Sequence, residues 1–130
     1  MLGSRRKALA GGLIVVIALV TALALTTTGS AKGRQTLRLK ASASGALRFN
    51  TKKLTAHTGK ATFVMTNPKS SGLKHGLEVA GKGLEKRAKN IGPGHTTSVT
   101  VTLRKGRKYQ FYCPVDGHKA AGMRGTIVVK

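Results

Sequence analysis

Acidic side chains are almost missing from this chain: 130 residues carry 3 Asp+Glu against 24 Lys+Arg, a formal charge of +21. The three acids, Glu78, Glu85 and Asp116, are not paired by spacing, so no carboxylate dyad is available for general acid–base work. Cysteine occurs once, at Cys113, which excludes an intramolecular disulfide framework and a multi-cysteine zinc site. Tryptophan is absent, and 3 Phe with 2 Tyr make no base-stacking platform. Together with the dispersed Lys and Arg, that sets nucleic acid aside as a partner. There is no Gly-x-Gly-x-x-Gly or phosphate loop and no recognisable nucleophile triad, so the chain does not read as an enzyme. No segment after Leu25 has a helical apolar stripe.

What is present is one domain's worth of chain with 40% hydrophobic residues, 17 Gly and abundant Thr and Val, the composition of a turn-rich β domain. The first 31 residues read as an address. Arg5, Arg6 and Lys7 precede the uncharged apolar run Ala8 to Leu25, and Gly29, Ser30 and Ala31 offer a cleavage site, so a signal peptide ending after Ala31 is expected. The run also reaches the lower limit for a membrane span, which makes an uncleaved anchor helix over 8–25 the alternative. A twin-arginine hint in Ser4-Arg5-Arg6-Lys7 is weak, and no Cys follows the run to carry a lipid. Either way residues 32–130 are expected outside the cytoplasm: secreted, periplasmic or at the cell surface.

That body reads as short strands of period two. Leu37 and Leu39 alternate with Arg38 and Lys40, Leu47 and Phe49 with Arg48 and Asn50, and Ala61, Phe63 and Met65 with Thr62, Val64 and Thr66. Val99, Val101 and Leu103 alternate likewise, and the Lys105-Gly106-Arg107 turn then predicts a hairpin with the strand Lys108 to Tyr112. Gly125 to Lys130 supplies a closing strand. Turn signals fall at Asn67-Pro68, Ser71-Gly72, Gly81 to Gly83 and Gly92-Pro93-Gly94. About seven strands broken in this way predict an all-β, two-sheet sandwich.

One constellation carries chemistry. Cys113, His118 and Met123 recur at five-residue steps in a stretch broken by Pro114, Gly117 and Gly122, which suits a tight loop wrapping three donors around one point. His75, opening the alternation His75, Leu77, Val79 after a Ser-Ser-Gly turn, is the natural fourth donor. Two imidazoles and a thiolate with a weak thioether suit copper cycling between Cu(I) and Cu(II), and suit zinc poorly. His57 and His95 lie beside turns and read as exposed. Asp116 reads as a turn residue.

On these residues the chain resembles a cupredoxin, the blue type 1 copper protein of the plastocyanin and azurin kind. Phe111-Tyr112-Cys113-Pro114-Val115-Asp116-Gly117-His118, then Ala121-Gly122-Met123 and the strand Gly125 to Val129, is similar to the Cys-x4-His-x4-Met loop of auracyanins and rusticyanin. The resemblance implies a Greek-key sandwich with one copper per chain near one end. His75, Cys113 and His118 would be equatorial ligands and Met123 the axial one. It implies one-electron transfer through the His118 edge, across a patch of Pro114, Val115, Ala120 and Ala121 bordered by Lys119. Many cupredoxins carry Asn after the first His, where this chain has Gly76, with Pro114 after the Cys. That side-chain clip is absent, although the Gly76 N–H is free to donate to the Cys113 sulfur.

Arg38, Lys40, Arg48 and Arg104 fall on outward faces. They form either a solvated exterior or a docking field, for a redox partner with an acidic surface or for an anionic membrane or cell wall. The expected role is a monomeric, exported one-electron carrier. An extracytoplasmic copper storage or delivery protein is the alternative.

Overall fold

The computed structural model describes residues 33–130, so the expected signal or anchor segment lies outside the described residues. Eight strands form two sheets: β1 (Gln35–Lys40), β2 (Lys53–Ala56), β3 (Gly59–Thr66), β4 (Glu78–Gly81), β5 (Leu84–Arg87), β6 (Thr96–Leu103), β7 (Tyr109–Tyr112) and β8 (Arg124–Val129). One sheet has the order β1-β3-β6 and the other β2-β8-β7-β4-β5. The all-β sandwich expected from the alternations is present. Along β3 the pattern is strict, with Ala61, Phe63 and Met65 inside and Thr62, Val64 and Thr66 turned out. The inward residues of both sheets meet in a single core that includes Leu39, Phe63, Met65, Val79, Leu103, Phe111 and Ile127. Burying each large apolar side chain contributes about 2 kcal/mol. Phe49 and Phe111 pack there with ring centroids 5.5 Å apart. Among the described residues every strand and every core residue lies within 35–129, so this stretch closes a core of its own.

The hairpin expected across Lys105-Gly106-Arg107 does not form. β6 pairs with β3, and β7 pairs with β4 and β8, so the turn carries the chain from one sheet to the other. The alternation of Val101 and Leu103 and that of Tyr109 and Phe111 both demand an inner face. Crossing between sheets lets both face the same core, and the Tyr109 hydroxyl pins the crossing by accepting the Arg104 N–H at 3.0 Å. The strand expected around Leu47 and Phe49 shrinks to one bridge between Ala41 and Phe49. In its place β2 and β5 appear at the two edges of the larger sheet. Lys86 and Arg87 of β5 are exposed, and charge along an edge strand discourages pairing with another chain while erasing the amphipathic signal.

The strand directions give the sandwich two distinct ends. β3 and β7 run toward one end, and β4, β6 and β8 leave from it, which gathers Asn67, His75, Ile91 and the 113–123 loop there. The turns at 57–58, 82–83 and 104–108 and the C-terminal Lys130 lie at the other.

Candidate metal centre

Cys113 continues the inward phase of β7, after Tyr109 and Phe111, and is completely buried. The chain then turns back in steps set by its backbone. The His118 N–H donates to the Val115 carbonyl at 3.0 Å, and Gly117, at the third position of that turn, takes φ 77°, where a Cβ would be strained. The Met123 N–H donates to the His118 carbonyl and the Cys113 N–H to the Met123 carbonyl, each at 3.0 Å. These bonds bring Cys113 and Met123 side by side, both buried, with His118 between them half-buried at the surface.

His75 arrives from elsewhere. Its N–H donates to the Ile91 carbonyl at 3.0 Å, and its carbonyl accepts the Ile91 N–H at 2.8 Å. The Ile91 carbonyl also accepts from Asn67 Nδ2 at 3.2 Å, and the same amide donates to the Leu73 carbonyl at 2.8 Å. The Ser71 hydroxyl donates to Asn67 Oδ1 at 2.6 Å, while the Asn67 N–H reaches the His95 carbonyl and the Gly94 N–H reaches the Asn67 carbonyl. Asn67 is therefore a buried hub with satisfied backbone and side chain, and it holds the two loops that set His75 in place.

His75, Cys113 and His118 converge so that one donor atom from each lies within 4.8 Å of the others. Both imidazoles turn the same nitrogen to the sulfur: His118 Nδ1 lies 3.5 Å and His75 Nδ1 3.9 Å from Cys113 Sγ. The two rings are 5.1 Å apart at 59°. The buried Met123 ends the same loop. Among the described residues this is the cluster of His, Cys, Asp and Glu side chains with metal-ligand spacing. The Gly76 N–H donates to the sulfur at 3.3 Å, as its place in the sequence allowed. A Cβ at residue 76 would fall on Asn90 Oδ1, which would have to move aside, and would lie 3.1 Å from Pro114 Cδ.

The electrostatics prepare the donors for a cation. Burial, and secondarily the charge of His118, hold His75 below the ordinary imidazole range, so it stays neutral with a lone pair to give. Burial pushes the Cys113 thiol up against the opposing Gly76 and Val115 N–H groups, so the sulfur keeps its proton until a metal supplies compensating charge. A soft sulfur and two imidazoles, with a thioether close by in the loop, fit copper.

On the far side of β7 from Cys113, the Tyr112 hydroxyl donates a short hydrogen bond to Glu78 on β4, and Arg87 Nε donates to the same carboxylate at 2.7 Å. Burial and the Glu78 bond push Tyr112 up to about 12. Lys119 does not pair with Asp116. Its Nζ sits 3.7 Å above the Tyr112 ring. His57 and His95 are exposed and outside the cluster, as expected. The sequence reading missed Asn67, Asn90, Ile91 and Glu78. Asn67-Pro68 showed as a turn, but nothing in it signalled a buried amide.

The fold and this donor set define a copper-binding β-sandwich. Residues 37–130 match the family of copper binding proteins, plastocyanin/azurin family, and the chain belongs to it. Its cofactor is a single copper ion. No curated protein sequence matches the chain. Among solved structures, auracyanin B aligns with a TM-score of 0.65 at 20% identity over 74% of this chain and 88% of that one. Dithionite-reduced auracyanin from the photosynthetic bacterium Roseiflexus castenholzii gives 0.64 at 20% over 75% and 98%. Auracyanin A from Chloroflexus aurantiacus, described as a "blue" copper protein, gives 0.61 at 20% over 75% and 100%.

Proposed function

We propose that this protein is an extracytoplasmic one-electron carrier in which His75, Cys113, His118 and Met123 would hold the copper. The copper supplies reversible exchange between Cu(I) and Cu(II). The carrying observation is the unequal burial of the converging donors: His75, Cys113 and Met123 are sealed inside, and His118 alone reaches the surface. An electron then has one short exit, the His118 ring edge, with Pro114, Val115, Ala120 and Ala121 around it. The chain's part is rigidity. The backbone bonds of 113–123 and the Asn67 hub hold the donors in one arrangement for both oxidation states, so little has to move when the charge changes. Nothing in this role breaks a substrate bond, and we read the protein as a carrier and not an enzyme.

The partner this end favours is a redox protein with an acidic surface. A shallow depression beside the loop is flanked by Arg87, Lys119 and Arg124, and Asp116 is the one acid on it. A small interface there suits an encounter that must release quickly.

The test is a Cu(II) titration followed by visible absorption and electron paramagnetic resonance, with Cys113→Ser as control. One intense sulfur-to-copper band at one copper per chain, lost in the control, is the expected result. Copper binding that survives Cys113→Ser would sink the assignment, and slow electron exchange with rapid loss of copper to a chelator would point to storage or delivery.

A further inference from the structure

We propose that the end of the sandwich opposite the copper docks onto anionic lipid headgroups and so holds the metal centre away from the bilayer. The crossing between β6 and β7 is Arg104-Lys105-Gly106-Arg107-Lys108, four cations in five residues, all exposed. The Arg107 guanidinium donates to the Lys82 carbonyl at 3.3 Å, which ties the β4–β5 turn and its lysine to the same tip, and Lys130 follows β8 to this end. Between the loops a cleft of about 280 Å³ is lined by Lys82, Arg104 and Arg107, room enough for a phosphate group. No side-chain carboxylate lies on these loops: Glu78 and Asp116 are at the copper end and Glu85 is an exposed residue of β5, while the terminal carboxylate of residues 32–130 offsets the Lys130 ammonium.

Two observations favour lipid over an acidic protein. β6 alone is eight residues long, so roughly 26 Å separates this tip from the metal end, too far for a redox partner seated here to serve the copper. The chain also enters the fold at this end. Gln35 at the start of β1 is held against His57, with its Nε2 donating to the His57 carbonyl at 2.5 Å and its Oε1 accepting the His57 N–H at 2.7 Å. The sequence ahead of it carries the apolar run Ala8 to Leu25, preceded by Arg5, Arg6 and Lys7. With that run retained as the anchor helix over 8–25, Gln35 follows it by ten residues, so the polybasic tip at the Gln35 end stands close to the headgroup phosphates, and each cation near that surface adds to the attraction. The tip loops carry no large apolar side chain, so the contact is electrostatic and reversed by salt.

The experiment uses metal-free residues 32–130, so its outcome is independent of the electron-carrier reading. Vesicles of phosphatidylcholine alone, and with added phosphatidylglycerol, are sedimented with three proteins. These are the parent, a tip variant with Arg104, Lys105, Arg107 and Lys108 each replaced by Gln, and a charge-matched control with Lys40, Lys69, Lys74 and Lys89 replaced by Gln. The parent is expected to bind only the anionic vesicles, the tip variant to lose about tenfold or more in affinity, and the control to lose far less. Equal losses in the two variants would reduce the effect to net charge and overturn the proposal. So would absence of binding to anionic vesicles, or tip-dependent binding to an acidic protein without it. Should the fourfold variant unfold, as circular dichroism will show, the pair Lys105→Gln and Lys108→Gln repeats the measurement with a proportionally smaller loss.

Discussion

The two segments that build the metal centre are made in opposite ways. The 113–123 loop is local: the backbone hydrogen bonds that fold it run between its own residues, and three of the four proposed ligands lie within it. The His75 segment is held by residues far along the chain, through Ile91, the Asn67 hub and the close approach of Asn90 to Gly76. A local loop is fixed by its own turns. A segment held at a distance is only as well placed as the residues that hold it. Substitutions far from the copper should therefore disturb His75 more than comparable ones disturb His118.

The largest effect should come from Asn67→Ala. It strips two donated amide bonds and the acceptor for Ser71 from a site with no solvent, and losses of that kind cost about 3 kcal/mol or more in all. For a domain of this size, thermal denaturation should show a midpoint lower by roughly 15 °C. Copper affinity should fall with it, since Ile91 loses a tie. A midpoint within a degree or two of the parent would show that His75 is placed by something other than this hub.

Gly76→Ala should come next, at about 1–2 kcal/mol. The added methyl meets the Asn90 amide, whose flexible end can move, and Pro114, whose ring cannot easily do so. Adding Asn90→Ala should recover part of the loss, and the sulfur-to-copper band should shift in Gly76→Ala because the 3.3 Å N–H bond to the sulfur is displaced. An unshifted band in the single variant would mean that this N–H does not tune the sulfur.

This contrast also explains what could be read from the sequence. The order Cys113, His118, Met123 and the glycines between them are short-range facts, and the loop they predict is the loop that forms. His75 was legible as the donor because it opens an apolar alternation after a turn, but its supports were not, since a buried Asn looks like any turn Asn until its partners are in place. Period-two patterns showed which residues face the core without showing which sheet each strand joins. That is why β6 and β7 read as a hairpin and proved to be a crossing. β5 was invisible because Glu85, Lys86 and Arg87 have no apolar phase to detect.

Acid should act on the His75 segment in two separate pH windows. Burial raises the Glu78 carboxyl, but hydrogen bonds from Tyr112 and Arg87 outweigh it and hold the group below its ordinary 4.5. Its stabilising contribution is then complete above 4.5 and lost as pH falls through the folded value. His75, held neutral by burial, opposes folding once the unfolded chain can take up a proton, so in the metal-free protein its loss begins as pH drops below 6.5. Denaturant titrations of the metal-free protein across pH should show both losses, and Glu78→Gln should abolish the lower one and leave the upper in place. A parent curve that is flat from 7 to 5 would count against the buried, neutral His75.

The smallest effect on stability should be that of Lys119→Met. The ammonium over Tyr112 is partly solvated, and such a contact is worth about 0.5–1 kcal/mol. The melting midpoint should fall by only about 2–5 °C. Lys119 nevertheless borders the His118 exit, and the Tyr112 ring holds it there instead of letting it fold down onto Asp116. Stopped-flow electron transfer with an acidic redox protein at low salt should slow by about two- to fivefold, and the difference should vanish as salt screens the encounter. Equal slowing at low and high salt would place the residue in the packing of the loop and not in the docking field, and the local segment would then owe some of its rigidity to a side chain after all.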